Sequence, residues 1–144
     1  MKKIIKVVAA IIENDNNEVL CALRSKEMSM PKLWEFPGGK IEKNESIENA
    51  IIREIKEELN CHIEFTSIFH ENTHEYEKVI VNLIAVKCKL IEGEPTANEH
   101  AKLLWMPIEY LETLNWAPAD IPAVKKLYLI TRDCNTPNPT PIAR

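Results

Sequence analysis

The stretch that decides the fold is residues 38–60, GGKIEKNESIENAIIREIKEELN. It opens on Gly38 and Gly39, two of the three glycines in the chain. Adjacent glycines let the backbone approach a ligand closely or adopt a positive φ. A charged loop follows, and apolar residues then recur at three- and four-residue spacing, which predicts an amphipathic helix. The residues predicted to form its buried face are Ile47, Ala50, Ile51, Ile55 and Leu59.

Both ends of this helix carry recognisable signals. Ser46 is a good N-cap, and Glu48 in the first turn complements the helix dipole. Asn60 follows the last apolar residue, where a left-handed residue ends many helices. The face opposite the apolar one carries Arg53, Glu54, Glu57 and Glu58.

Two interpretations of this acidic face are open from the helix alone. Glu54 lies three residues before Glu57 and four before Glu58, so the three carboxylates are neighbours that repel one another. They form either a solvated face, with Arg53 and Lys56 as counterions, or a binding surface for a hard divalent cation, which prefers oxygen ligands.

The spacing of the whole stretch distinguishes the two. Gly39, Glu45 and the run Arg53-Glu54-Ile55-Lys56-Glu57-Glu58 stand at intervals that resemble the signature of the Nudix hydrolases. The one departure is Asn60, where the family usually has glycine. Asparagine also tolerates the left-handed conformation, so this departure leaves the match intact.

Composition limits the class of protein. The chain has 144 residues, with 45% hydrophobic and 28% charged residues, which predicts one globular domain over residues 1–130. Residues 131–144 contain three prolines and no periodicity, and we expect a poorly ordered tail there. The net charge of −4 and the lack of a basic block argue against a nucleic acid polymer as partner.

Cysteine usage and the N-terminus bear on location. The four cysteines are scattered without a CxxC pair, as expected of reduced thiols in the cytoplasm. The apolar run after Met1 is too short for a membrane span and lacks a cleavage site, so we interpret it as a strand and expect no membrane association.

Periodicity along the chain predicts one α/β or α+β domain. The resemblance implies more, namely the Nudix α/β/α sandwich with a mixed sheet. Residues 4–12 are expected to form a central strand buried on both faces. Further strands are predicted at 19–23, 61–69, 79–90 and 103–106, and helices at 107–114 and 122–130.

The resemblance also implies a chemistry. Nudix hydrolases split a nucleoside diphosphate linked to another group, using Mg²⁺ or Mn²⁺. It places the metal at the Gly38 carbonyl and the three glutamates Glu54, Glu57 and Glu58. It implies that Arg53 orients Glu54, and that Glu45 supports this arrangement or binds a further ion. The general base is either a glutamate of the signature or Glu99 in a later loop; a surface role for Glu99 also stays open.

Substrate contacts are implied at four further positions, and three of them have a simpler alternative. They are Arg24, Glu35, Phe36 and Asp120. Arg24 is otherwise a solvated cation, and Phe36, like Trp34, is otherwise a core residue. Asp120 is otherwise an N-cap of the last helix, and it can serve both purposes.

The run APADIP at residues 117–122, with Glu99-His100 upstream, resembles the CTP pyrophosphohydrolase branch of the MutT-like group, beside the 8-oxo-dGTP diphosphatases. The sequence therefore predicts a hydrolase, monomeric or homodimeric, that converts a nucleoside triphosphate and water to the monophosphate and pyrophosphate. Its expected substrates are cytidine or modified and oxidised nucleotides. A dinucleoside polyphosphate, a nucleotide sugar, or a non-catalytic nucleotide-binding module remain the alternatives.

Overall fold

The computed structural model describes residues 1–135. Its strands are β1 (Lys3–Glu13), β2 (Glu18–Leu23), β3 (Trp34–Glu35), β4 (Gly38–Lys40), β5 (His62–Glu75), β6 (Val79–Glu92) and β7 (Lys102–Pro107). Its α-helices are α1 (Ile47–Leu59) and α2 (Ile121–Asn135), and two 3₁₀ helices span Ile108–Thr113 and Pro118–Asp120.

The sheet is mixed, as predicted, and β1 lies at its centre. The strand order is β3-β2-β1-β6-β5, with β4 also paired to β1 and β7 to β2. The β1–β6 pair is parallel along the whole length of β1, whereas the other pairs are antiparallel. A helix joins β4 to β5, which brings α1 onto one face of this sheet.

Alternate residues of β1 pack into two separate hydrophobic cores, one on each face of the sheet. Val8 and Ile12 pack with α1 on one face, and Ala9 and Ile11 pack with α2 and the first 3₁₀ helix on the other. Because successive strand residues point to opposite faces, one uniformly apolar strand serves both layers. The predicted α/β/α sandwich is confirmed.

Two predicted elements differ from those observed. The helix expected at residues 107–114 is a 3₁₀ helix over Ile108–Thr113, because the Leu111 carbonyl accepts the Leu114 N–H at 3.1 Å and the Trp116 indole N–H at 2.7 Å. Strand β5 continues to Glu75, beyond its predicted end at residue 69, because pairing with β6 extends across polar residues through several register shifts.

Helix α2 also ends later than predicted. It continues past Ile130 to Asn135, since no glycine or proline interrupts the chain before Pro137. Residues 131–135 of the expected tail are therefore helical, and residues 136–144 lie outside the described part of the chain. None of the helices within residues 1–135 is long and apolar enough to cross a membrane.

Candidate active site

Helix α1 presents the acidic face that the sequence predicts. Its N-cap is Ser46, whose Oγ accepts the Asn49 N–H at 3.1 Å, and Asn60 closes it with a left-handed φ of 53°. Four of the five predicted core residues are fully buried, and Ile47 is partly exposed. With this face buried, Glu54 lies against Gly39 of β4.

Close approach, not positive φ, explains the two glycines. Neither Gly38 nor Gly39 has a left-handed φ. A Cβ at Gly38 would overlap the Val8 carbonyl oxygen of β1, and a Cβ at Gly39 would overlap the carboxylate of Glu54. The missing side chains therefore let β4 lie between β1 and the acidic face of α1.

Arg53 binds the loop before α1 to that acidic face. Its Nε and one terminal nitrogen donate to the two oxygens of Glu45 at 2.7 and 2.9 Å. It also donates to Glu54 at 3.0 Å, to Glu57 at 3.2 Å and to the Lys40 carbonyl at 3.1 Å. These hydrogen bonds lower the pKa of Glu45 to about 2 and raise that of Arg53, so both groups stay charged.

The three glutamates of α1 occupy different environments. The Glu57 side chain is 61% exposed, whereas that of Glu54 is 14% exposed and its pKa is raised, mainly by burial. Glu58 points inwards, and its Oε1 is buried without a hydrogen-bond partner. Burial raises the pKa of Glu58 to about 7, against the opposing effects of nearby His100 and the Gly38 N–H.

These groups fit a divalent cation that keeps part of its water shell. Within residues 1–135 no three acidic, histidine or cysteine side chains already converge as a complete metal cage. Mg²⁺ does not require one, because it commonly takes one or two protein carboxylates, with waters and phosphate oxygens completing its shell. The buried, unpartnered Oε1 of Glu58 is a ligand of the right kind, and Glu54 lies beside Gly39.

A cavity opens beside the acidic face. One part, of about 550 Å³, has an aliphatic floor from β1 and β6 and extends to the β5–β6 turn. A smaller part, of about 280 Å³, reaches Gly38, Gly39 and Glu58. Arg24, Glu35 and Asp120 line both parts, so predicted metal and substrate residues share one continuous depression.

Arg24 and Glu35 form a pair within this cavity. Arg24 donates to Glu35 Oε1 at 2.7 Å and to the carbonyl and hydroxyl of Ser29 at 2.7 and 3.1 Å. The other oxygen of Glu35 lies 2.8 Å from Nε2 of His100. Arg24 is therefore not a free solvated cation, since its side chain is 17% exposed and ion-paired.

Asp120 is buried at the wall of the cavity, 4% exposed. Its Oδ2 accepts the Phe36 N–H at 3.0 Å, and among the described residues it has no hydrogen bond to the first turn of α2. Burial, with the nearby charge of Glu35, raises the pKa of Asp120 to about 8. Its carboxyl is thus mainly protonated at neutral pH and can both donate and accept a hydrogen bond.

Phe36 lines the smaller part of the cavity, whereas Glu99 lines neither part. The Phe36 ring is 3% exposed and packs on Trp116 at a centroid distance of 4.8 Å, so it contributes a backbone N–H while its ring belongs to the core. The Glu99 side chain is exposed and makes no hydrogen bond or ion pair within the described residues.

Two residues of the cavity region were not identified as site residues from the sequence. Tyr76 lines the cavity at the β5–β6 turn, and its hydroxyl accepts the Ala119 N–H at 2.9 Å. His100, noted only as part of an adjacent pair with Glu99, is buried against Glu35. The sequence pointed to His100 only through its place beside Glu99. The Tyr76–Ala119 and His100–Glu35 contacts join residues far apart in the chain, so no local pattern predicts them.

Comparison with known proteins assigns this architecture. A profile of the NUDIX domain matches residues 3–127. The chain is 34% identical to an 8-oxo-dGTP diphosphatase of Escherichia coli K12 over 88% of its length and 98% of that protein. It is 37% identical to a CTP pyrophosphohydrolase of the same organism, over 85% and 90% of the two chains.

A solved structure agrees. The solution structure of a MutT protein of the Nudix hydrolase family from a methicillin-resistant Staphylococcus aureus superposes with a TM-score of 0.74 at 51% identity, over 90% of this chain and 99% of that one. The fold and the acidic helix beside a glycine pair define a hydrolase of the phosphoanhydride-cleaving type. The chain belongs to the Nudix hydrolase family. Members of this family generally need a divalent metal ion and act on nucleotide substrates.

Proposed function

We propose that this protein hydrolyses nucleoside triphosphates to the monophosphate and pyrophosphate with Mg²⁺ or Mn²⁺. The observation that carries the proposal is the continuous cavity, which joins the compartment of about 550 Å³ beside Asp120 to Gly38, Gly39 and Glu58 of the acidic site. The activities of the similar E. coli proteins support the same reaction. The enzyme acts in the cytoplasm as a monomer or homodimer, and three of its four cysteines, Cys21, Cys61 and Cys88, are buried and free, which suits a reducing compartment.

The residues divide into two groups in this mechanism. Glu54, Glu57, Glu58 and the Gly38 carbonyl would hold the cation, which when bound offsets phosphate charge and lowers the pKa of water. Arg53 orients Glu54 through the hydrogen bond between them. Glu45 fixes Arg53 in turn. Glu99 is the general base, reaching the site from its exposed position once substrate is bound.

Arg24, Glu35, the Phe36 N–H and Asp120 form the base-recognition group. Because Oδ2 of Asp120 already accepts the Phe36 N–H, a proton on Oδ1 is available to donate. Such a donor matches N3 of cytosine or a carbonyl oxygen of an oxidised purine. The preferred substrates are therefore cytidine or oxidised nucleotides.

A substrate panel tests the proposal. The purified protein with Mg²⁺ would be offered dCTP, 5-methyl-dCTP, CTP, 8-oxo-dGTP, dGTP and a diadenosine polyphosphate, and pyrophosphate release would be followed. We expect one of the cytidine or oxidised nucleotides to lead in kcat/KM. Absence of hydrolysis of every nucleoside triphosphate would refute the proposed reaction. In Asp120→Asn we expect the ranking to change, because an amide offers a donor and an acceptor in fixed positions; an unchanged ranking would remove Asp120 from base recognition.

A further inference from the structure

His100 is a buried polar residue whose contacts reach into the substrate cavity. Its side chain is 2% exposed, and Nε2 lies 2.8 Å from Oε2 of Glu35. Its other ring nitrogen, Nδ1, is buried and has no hydrogen-bond partner. A histidine so buried costs desolvation energy, which the contact with Glu35 offsets. Besides Glu35, the charged groups that face the ring are Glu58 and Arg24.

Glu35 is held at both oxygens. Arg24 fixes Oε1 and His100 fixes Oε2, at 2.7 and 2.8 Å. The Arg24 side chain is itself bound to Ser29 in the loop after β2. The carboxylate of Glu35 is therefore held in one orientation in the cavity wall, which Asp120 also lines. His100 fixes one of its two oxygens.

The segment that carries His100 is anchored to α1. The Asn98 side-chain amide donates to the Glu57 carbonyl at 2.8 Å, and the Thr96 N–H donates to the Leu59 carbonyl at 2.9 Å. Both carbonyls belong to the last turn of α1, where no intrahelical N–H is available to them. One residue after His100, the Ala101 N–H donates to the Leu23 carbonyl of β2 at 2.9 Å. The backbone on both sides of His100 is thus fixed.

We propose that His100 is a positioning residue for substrate recognition. It donates a hydrogen bond from Nε2 to Glu35 and holds that carboxylate in a fixed position relative to α1. The inference rests on the proposed function of the cavity. The inference adds a residue to that function, because His100 links base recognition to the helix that carries Glu54 and Glu58. His100 does not touch substrate itself, so its effect passes through Glu35.

The first test compares His100→Leu with His100→Gln and His100→Asn, using the panel nucleotide that wild type hydrolyses best. In His100→Leu we expect KM to rise about tenfold with kcat within about threefold, because a contact that orients a binding group is lost. Gln can place an amide N–H near the position of Nε2 and should restore KM to within about threefold, whereas the shorter Asn should not. Unchanged KM in His100→Leu would overturn the proposal.

A double-mutant cycle separates positioning from a general structural role. If His100 acts through Glu35, the double variant His100→Leu/Glu35→Gln should differ in KM by no more than about twofold from Glu35→Gln. Multiplying effects would overturn the proposal. If His100→Leu alone does not fold, the double variant, which removes the charged partner as well, and the Gln and Asn variants carry the test.

Two controls complete the design. His62→Leu changes an exposed histidine at the start of β5 and should leave KM and kcat unchanged. The Mg²⁺ concentration for half-maximal rate should not change in His100→Leu; a shift there with unchanged KM would place the role of His100 at Glu58 and overturn the proposal. An inactive wild type would refute the proposed function, whereas an active wild type with an unaffected variant refutes only this inference.

Discussion

Glu58 differs from its neighbours because one oxygen of its carboxylate, Oε1, is buried without a hydrogen-bond partner. Its pKa of about 7 comes mainly from burial, and its side chain lines the smaller part of the cavity. We predict that Glu58→Gln lowers kcat at least about 100-fold while the metal-free protein keeps its thermal stability, since the neutral amide removes a buried charge. Mg²⁺ should raise the Tm of wild type but not of the variant, because only a protein that binds the ion gains stability from it.

The matched control is Glu48→Gln, an exposed change in the first turn of the same helix. Its kcat and its Tm shift with Mg²⁺ should equal those of wild type. If Glu58→Gln retained the Mg²⁺-dependent Tm shift together with its activity, Glu58 would not hold the ion.

Glu99 is the opposite case, an exposed carboxylate on a fixed backbone. Because its side chain is exposed and makes no hydrogen bond or ion pair among residues 1–135, Glu99→Gln should leave the Tm unchanged. If Glu99 is the general base, as proposed, the same substitution should nevertheless lower kcat at least about tenfold, within the range of general base catalysis. Steady-state kinetics and thermal unfolding of one preparation measure both quantities, and wild-type turnover would reassign the base to α1.

At the scale of elements, the glycine pair makes two distinct predictions. In Gly38→Ala the new Cβ meets the backbone of β1, which cannot yield, so the free energy of unfolding should fall by about 1–3 kcal/mol. In Gly39→Ala it meets the end of the flexible Glu54 side chain, so stability should change less. Moving Glu54 should instead lower kcat about tenfold or more, since small displacements at a reacting site are costly.

Urea unfolding and kinetics of both variants distinguish the two cases. The prediction fails if Gly39→Ala is fully active, or if the two variants lose stability equally. Either result would mean that β4 adjusts its distance from α1, and that the close approach of the two elements is not what places Glu54.

Features that neighbouring residues determine could be predicted from the sequence, whereas contacts between residues far apart in the chain could not. Ser46, the apolar spacing and Asn60 specify α1 within fifteen residues, and the structure has its cap and its left-handed end as expected. Nothing local distinguishes Glu57 from Glu58, whose difference in exposure follows from how α1 packs against β4. The contacts Phe36–Asp120 and Glu35–His100 span 84 and 65 residues, so only the folded chain reveals them.

For the whole molecule, three buried groups give stability the same dependence on pH. The pKa of Glu58 is raised to about 7, that of Asp120 to about 8, and that of His100 is raised through Glu35 despite its burial. Each group binds its proton more tightly in the folded state, so the stability it contributes is present at low pH and is lost as pH rises through the folded pKa. The metal-free protein should therefore lose stability between about pH 5 and 8.5.

The dependence of stability on pH reverses its direction only at acid pH. There the pKa of Glu45, lowered to about 2, makes stability fall as pH decreases below about 4.5. Urea unfolding in EDTA at half-unit pH steps would record the curve, and a stability that rises from pH 5 to 8.5 would contradict it.

Asp120→Asn isolates one component of this curve. The amide can still accept the Phe36 N–H but does not ionise, so the variant should match wild type below about pH 4 and exceed it increasingly as the pH rises to about 8. We expect the gain in the free energy of unfolding to level off above about pH 8 at several kcal/mol and at most about 6 kcal/mol, since the shift from 3.8 to about 8 spans about four pKa units of about 1.4 kcal/mol each. A constant difference at all pH values would show that Asp120 is already ionised in the folded protein. The donor proposed for base recognition would then be absent, whereas a difference that grows from about pH 4 to about pH 8 ties the stability and the specificity of this protein to the same proton.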